Sequence, residues 1–446
     1  AVGGGRVINA TSANGLLYAL EQFPVQSGTR YPMVMNVACR TVSGPLSIKG
    51  DHSDIMYLLN AGWPILFAHT VQQVYDFNII ALRLAEQVRL PVVVAYDGFF
   101  TSHQKRRCLR FEKDETVRQF IGTKKDPYPF LDLSNPITVG SYMNEPDLMN
   151  NRYQLHLAMQ QADEVLPKLF AEYGVLSGRE YGKVEGYQCK EAQELLVLLG
   201  SSYETAKEGV DSLRKNGRKA GIVTLNVLRP FPEKALYDAC ASAASMMVAD
   251  RQDSYGAGGG NLSLEVRAMM QKFGGRAKLK SRVYGLGGKD FFAEDVEKLL
   301  DMVADTKAPD FDYYGVTPGS VQETMDKGPF FAPMTAERTN IGATQLQRDT
   351  AGEVQVKGGS LNATAAMPKR LAPGHGACPG CGIPVNLNLL SRAIEDPVVF
   401  LFQTGCGMIV TTPYPKTSFK VPYLHNLFQN GAATLSGLAE ICYRKQ

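Results

Sequence analysis

Residues 65–96 read ILFAHTVQQVYDFNIIALRLAEQVRLPVVVAY. The stretch opens on a continuous apolar run, Ile65 to Ala68, and closes on another, Pro91 to Tyr96, each of strand length. Between them Phe77, Ile80, Ala81 and Leu84 recur on one face at helical spacing. Unbroken apolar strands joined by a helix form the pattern of a parallel sheet covered on both sides. Val34 to Ala38 supplies another strand of this kind. The fold class is α/β, with parallel sheets flanked by helices, and the first unit occupies residues 1–125.

Outward from this stretch the alternation recurs. Residues 126–190 read as a helical connection. A second unit, 191–304, begins with strand Leu195 to Leu199, the turn Gly200-Ser201-Ser202 and a helix near Glu204 to Leu213. Ile222 to Leu228 and Met246 to Ala249 are further strands. A closing helix carries Val296, Leu299, Leu300 and Val303. Residues 305–372 lose periodicity and read as a linker or arm, being too long for a loop inside one domain. A third unit, 373–446, starts with a helix at about 384–394 and strand Val398 to Phe402. It is incomplete, and both ends of the chain read as internal to a longer polypeptide.

Composition narrows the function classes. The 446 residues are 44% hydrophobic and 20% charged, which excludes wholesale disorder. A net charge of +3, from 47 basic and 44 acidic residues, gives no basic field for nucleic acid. Apolar runs such as Leu195 to Leu199 are far too short to span a bilayer. The start, Ala1-Val-Gly-Gly-Gly-Arg6, has no signal-peptide pattern. Eight dispersed cysteines do not form the framework of a small secreted domain. The expected location is cytoplasmic, with no nucleic-acid or membrane partner.

The sharpest chemical signal is His375-Gly-Ala-Cys378-Pro-Gly-Cys381-Gly382, with a third cysteine in Thr404-Gly405-Cys406. Thiolates suit an iron–sulfur cluster or zinc. Zinc would need a fourth ligand, which His375 or His425 could supply. Unrelated core cysteines are the plain alternative. Arg40 follows a strand at its carboxyl end, where open α/β sheets place ligands. Its guanidinium can hold a carboxylate through two bonds, and the alternative is an ordinary surface ion pair. Thr11 and Ser12 could contact a ligand or cap a helix over Leu16 to Gln22. Asp51 to Asp54 and His103 read as loop-bracing groups. Gly256 to Gly260 and Gly285 to Gly288 read as tight turns rather than phosphate cradles.

These motifs resemble, in order, the 2-oxoacid:ferredoxin oxidoreductases, of which pyruvate:ferredoxin oxidoreductase is the type member. Thr11-Ser-Ala-Asn-Gly-Leu16, Arg40-Thr-Val-Ser-Gly-Pro45, Asp51-His-Ser-Asp54 and Asp97-Gly-Phe-Phe-Thr-Ser-His103 are similar to the first α domain of that family. Arg229-Pro-Phe-Pro232, Asp250-Arg251 and Tyr284-Gly-Leu-Gly-Gly288 are similar to its second. Gly374 to Gly382, Thr404 to Cys406, Thr411 to Pro415 and Lys420 to His425 resemble the start of its β part.

The resemblance implies a thiamine-diphosphate-binding fold, with a transketolase C-terminal-like domain at 191–304. It implies oxidative decarboxylation of a 2-oxoacid, pyruvate by default. CoA takes the acyl group, and electrons pass through a [4Fe–4S] cluster to ferredoxin or a similar acceptor. The alternatives are a larger or aromatic 2-oxoacid and a non-redox thiamine or zinc protein of the same fold. The implied cofactors are thiamine diphosphate, Mg2+ and the cluster, with the fourth cluster ligand outside this chain. Arg40 and Thr11 become catalytic residues, with Arg40 on the substrate carboxylate. Ser12, Thr404, Gly405 and Asn430 become cofactor contacts, and Cys378, Cys381 and Cys406 cluster ligands. Partner polypeptides are the remaining β, γ and ferredoxin-like parts, in a dimer of protomers. Two family features have no counterpart here: the carboxylate on the thiamine aminopyrimidine and the Gly-Asp-Gly motif for magnesium and diphosphate.

Overall fold

The computed structural model describes residues 1, 5–124, 139, 144–316, 347–348, 350–351, 354–355, 361–394, 398–412, 418–421, 423–426 and 431–444. They fall into two compact units, Ala1–Val316 and Thr317–Gln446.

The first unit contains two sheets. In one, β1 (Ile8–Thr11), β2 (Val34–Cys39), β4 (Val92–Asp97) and β3 (Ile65–Ala68) lie side by side in that order, all parallel. Helix α1 (Ala13–Tyr18) and α2 (Gln22–Thr29) connect β1 to β2, and α3 (Val71–Val88) connects β3 to β4. The apolar stripe of α3 is buried throughout, and Thr70 caps it by accepting from the Gln73 amide at 3.1 Å. A short helix α4 (Asp114–Ile121) and the 31-residue α5 (Asp147–Ser177) cover the outer face of α3. Asp76, fully buried on α3, fastens this layer. It accepts Arg179 Nε at 2.7 Å and the Tyr173 hydroxyl at 2.6 Å.

The second sheet has the order β11 (Phe311–Tyr313), β10 (Lys278–Val283), β9 (Ser245–Asp250), β6 (Glu194–Leu198), β7 (Ala220–Leu225), β5 (Val184–Tyr187). Only the β5 edge is antiparallel. Helices α6 (Ser202–Lys215), α7 (Glu233–Cys240), α8 (Asn261–Phe273) and α9 (Ala293–Ala304) flank it.

Four elements differ from the sequence expectation. The run Ile222 to Leu228 is two strands, because Asn226 turns the chain from one sheet to the other. β7 ends at Leu225, and β8 (Val227–Arg229) pairs antiparallel with β3. The buried Asn226 donates from Nδ2 to the Gly182 carbonyl at 3.0 Å, while its own carbonyl accepts from Phe67 N at 2.9 Å. The stretch 278–283 carries Lys280 and Arg282, yet it forms a buried strand. Lys280 Nζ donates to the Asp305 and Ala308 carbonyls at 2.5 and 2.6 Å, which satisfies a charge that periodicity alone would place in solvent. Finally, β11 lies inside the segment read as a linker, and α1 starts at Ala13 and ends at Tyr18 rather than running from Leu16 to Gln22.

In the second unit, strands Phe400–Gln403 and Tyr423–Asn426 pair in parallel, and helices Ile383–Ala393 and Gly431–Arg444 accompany them. Among the described residues no helix is long and apolar enough to cross a membrane.

Candidate active site

All four parallel strands of the first sheet end on the same side, which gathers Thr11, Arg40, His69 and Asp97 at one rim. Arg40 is the residue after β2 and is half-buried. Its amide donates to Asp54 Oδ2 at 3.0 Å, and its Nε donates to the Ser12 hydroxyl. Ser12 Oγ in turn donates to the Ala38 carbonyl at 2.6 Å. Ser12 thus occupies the position before α1 but does not cap it. Asp54 Oδ2 takes that role, accepting from Ala13 N at 2.7 Å. The structure therefore brings Ser12 and Arg40 together, with Thr11 adjacent at the end of β1. Among the described residues the Thr11 hydroxyl and the two terminal nitrogens of Arg40 make no hydrogen bond, and the Thr11 hydroxyl stands 2.9 Å from where a Cβ on Gly15 would lie.

Carboxylates hold this arrangement from behind. Asp54 is fully buried, and burial pushes its carboxyl up to about 7 despite the three amides it accepts from. Asp51 braces the neighbouring loop by accepting from the hydroxyls of Thr41 and Ser53, each at 2.6 Å. Asp97 ends β4 and is also fully buried. Burial alone would raise it, but the charge and hydrogen bond of His52, then Arg251 and the Ser201 hydroxyl, outweigh burial and hold it well below the usual carboxylate range. His52 Nε2 lies 2.5 Å from Asp97 Oδ1, and Ser201 donates from both amide and hydroxyl to Oδ2 at 2.6 and 2.5 Å. Gly200 makes this possible, since its φ is +75° and a Cβ there would stand 2.5 Å from Asp97 Oδ2.

One cluster escaped the sequence reading. His69 directly follows β3 and lies between Glu185 at 3.0 Å and Glu204 at 3.0 Å. Burial works against its charged form, but the two carboxylates outweigh burial and raise it above the ordinary histidine range. A histidine at the carboxyl end of a parallel strand was the available signal.

The glycine-rich segments are closed turns. The N-terminus of α8, after Gly260, is taken by Asp250, which accepts from Leu262 N at 2.9 Å and the Ser263 amide at 3.2 Å. A Cβ on Gly288 would stand 2.6 Å from the Lys49 side chain. His103 stacks on Phe99 at 4.4 Å and contacts Ser102, which braces the loop after β4.

In the second unit Cys378 and Cys381 flank a turn closed by Cys381 N to the Cys378 carbonyl at 3.1 Å. Cys406 opens the one-turn helix Cys406–Ile409, two residues after Thr404 and with Gly405 at its cap position. Gly376 N donates to the Val410 carbonyl at 2.8 Å, which ties the two cysteine segments together. Cys378 and Cys406 are exposed, Cys381 is half-buried, and all three are free thiols. Their chemistry suits a thiolate-bound cluster, yet among the described residues no three His, Cys, Asp or Glu side chains converge on a metal position. Asn430 lies outside the described residues.

Comparisons with known proteins bear on this site. The thiamine diphosphate-binding domain of pyruvate flavodoxin/ferredoxin oxidoreductase matches residues 1–171, and core domain II of pyruvate:ferredoxin oxidoreductase matches residues 192–296. The pyruvate synthase subunit PorA of Thermotoga maritima is 39% identical over 303 residues, 68% of this chain and 77% of that one. The ketoisovalerate oxidoreductase subunit VorA of Pyrococcus horikoshii is 33% identical over 67% of this chain and 75% of its own. A solved 2-oxoglutarate:ferredoxin oxidoreductase from Magnetococcus marinus aligns at 18% identity and a TM-score of 0.49, over 68% of this chain and 54% of that one. With both domains matched in order, the chain belongs to the pyruvate flavodoxin/ferredoxin oxidoreductase family, as an α subunit of the 2-oxoacid:ferredoxin oxidoreductases.

Proposed function

We propose that this chain provides the α part of an enzyme that oxidatively decarboxylates a 2-oxoacid, pyruvate by default, to the acyl-CoA and CO2. Electrons leave for ferredoxin or a similar acceptor. Arg40 carries the reading: it is half-buried at the carboxyl end of a parallel strand, its amide and Nε are fixed, and its terminal nitrogens are available. A planar carboxylate fits that fork through two charge-assisted bonds. Thiamine diphosphate, when bound, supplies the chemistry that lets the 2-oxoacid lose CO2. Arg40 then orients the substrate, and the Thr11 hydroxyl at the end of β1 is proposed to donate to a substrate oxygen. Asp54 keeps both segments in register through the amides of Ala13 and Arg40. Ser12, Thr404, Gly405 and Asn430 are proposed as cofactor contacts. Magnesium is expected with the diphosphate, from groups other than those named here. Cys378, Cys381 and Cys406 are proposed to hold a [4Fe–4S] cluster with a fourth ligand from further polypeptide. The enzyme is expected to work in the cytoplasm, with β, γ and ferredoxin-like polypeptides in a dimer of protomers.

The test is acceptor reduction by the purified holoenzyme, with 2-oxoacid, CoA and thiamine diphosphate, alongside iron and labile sulfide analysis. Activity with iron and sulfide supports the reading, whereas zinc without iron overturns it. The similarity to a ketoisovalerate enzyme supports a branched substrate as the second reading. The ratio of kcat/KM for pyruvate and 2-ketoisovalerate decides between them.

A further inference from the structure

His69 joins the two sheets of the first unit. It directly follows β3 of the first sheet, is 5% exposed, and meets two carboxylates carried by the second. Its Nε2 lies 3.0 Å from Glu185 Oε2 on β5, and its Nδ1 lies 3.0 Å from Glu204 Oε1 on α6. The Glu185 contact is a hydrogen bond, while the Glu204 contact is an ion pair by distance, without hydrogen-bond alignment. Lys207 Nζ stands 2.9 Å from Glu204 and 3.9 Å from Glu185, and the buried ring of Tyr203 packs edge-on to His69 at 4.9 Å. With a charged imidazole the four charges of this joint balance. With a neutral one, two carboxylates face a single ammonium.

A further contact at Nε2 supplies the alternative. Gln73 Nε2, on α3 of the first sheet, lies 2.8 Å from it. The orientation of that amide is fixed, because Gln73 Oε1 accepts from the His69 backbone amide at 2.8 Å and its Nε2 also donates to Asn226 Oδ1 at 3.3 Å. One ring nitrogen is thus contested by an acceptor, Glu185, and a donor, Gln73. Meeting both carboxylates takes both ring N–H groups, hence the charged ring. A neutral ring that keeps its proton on Nδ1, toward Glu204, accepts from Gln73 at Nε2 and turns a lone pair on Glu185.

We propose that His69 is a proton-operated clamp: charged, it ties β5 and α6 to the end of β3, and neutral, it passes Nε2 from Glu185 to Gln73 and frees the β5 edge. The proton leaves to solvent through the cavity that His69 and Glu204 both line, whose other charged groups are Arg106, Arg107, Arg251 and Asp290. Burial opposes the charged ring, but Glu185 and Glu204 raise it above the ordinary histidine value of 6.5. The clamp is therefore whole below that value and is lost as pH rises through the raised one. Asp97, held by His52, Arg251 and Ser201 well below the usual carboxylate range, stays charged throughout, so the sheets remain joined there and only the His69 edge loosens.

Hydrogen-exchange mass spectrometry of the purified holoenzyme from about pH 6 to 9.5, corrected for intrinsic exchange, tests this. Protection over Ala68–Gln73 and Val184–Tyr187 falls about tenfold or more across that range, as the loss of a hydrogen bond to a buried charged group would give. Strands β9 and β10, on the far side of the second sheet, stay within about twofold. His69→Gln, which takes up no proton, loses the difference. Gln73→Leu removes the donor that favours the neutral ring, so release moves to higher pH. Glu204→Gln, at an exposed position, removes a carboxylate that favours the charged ring, so release moves to lower pH. A histidine that only packs leaves protection level with pH, or leaves a difference that survives in His69→Gln, and either result would overturn the clamp. So would an unmoved release in both Gln73→Leu and Glu204→Gln.

Discussion

The two units hold their candidate chemical groups in opposite ways. In Ala1–Val316, Arg40 and Ser12 are fixed by hydrogen bonds, and buried acids brace the backbone behind them. In Thr317–Gln446, two of the three motif cysteines are exposed and stand on short turns joined by backbone contacts. A substrate fork must be in place before the ligand arrives, since misplacement by an ångström is expensive. Thiolates can instead be drawn together by the metal, because binding energy then serves as folding energy. Breaking the first arrangement should therefore cost stability, and breaking the second should cost the cofactor.

The largest effect expected is on the cluster. Cys378→Ser, Cys381→Ser or Cys406→Ser should remove most of the visible iron–sulfur absorbance and the acceptor reduction of the holoenzyme. For the exposed Cys378 and Cys406, apoprotein stability should move by no more than about 0.5 kcal/mol in denaturant titration. Full cluster content in all three variants would erase the contrast.

Next comes Asp54. Asp54→Ala orphans the amides of Ala13, Arg40 and Ile55, each costing about 1–3 kcal/mol if left buried and unpaired. A combined loss of about 2–4 kcal/mol is expected from urea unfolding. Asp54→Asn should act mainly on pH dependence. The folded carboxyl keeps its proton up to about 7, against 3.8 for the ordinary group. The folded state therefore binds more protons between those values, and this group's contribution to stability falls as pH rises through that window. The amide does not titrate, so stability measured from pH 4 to 7 should lose that slope. An unchanged slope would remove Asp54 as its source.

The smallest effect is the control. Cys108 is exposed and lies on the loop after β4, away from the cysteine motif in sequence. Cys108→Ser should leave cluster content and activity at wild-type levels. A loss there would mean that thiol substitutions act without regard to the motif.

Much of the first sheet was legible because its strands are continuously apolar and its helix α3 keeps a clean stripe. The position of Arg40 was legible because it follows such a strand. Asn226 was not readable as a sheet-to-sheet crossing, since its role depends on the Gly182 carbonyl more than forty residues away in sequence. Lys280 and Arg282 hid β10, because carbonyls of the 305–309 segment satisfy their charges only once the chain has folded. The same holds for His69, whose partners Glu185 and Glu204 come from the other sheet layer. The cysteine motif was legible as chemistry from spacing alone. Among the described residues its thiols do not converge on a metal position.

The central claim is that Arg40 grips the carboxylate of a 2-oxoacid. Steady-state kinetics of the Arg40→Ala holoenzyme test it most directly, with 2-oxoacid varied at saturating CoA and acceptor. The account predicts a fall in kcat/KM of about tenfold to a few hundredfold, from the loss of charge-assisted bonds worth about 1.5–3 kcal/mol each. Arg40→Lys should recover only part of it, because the planar fork is gone. Wild-type kinetics in Arg40→Ala, with the protein folded and the cofactors bound, would contradict it.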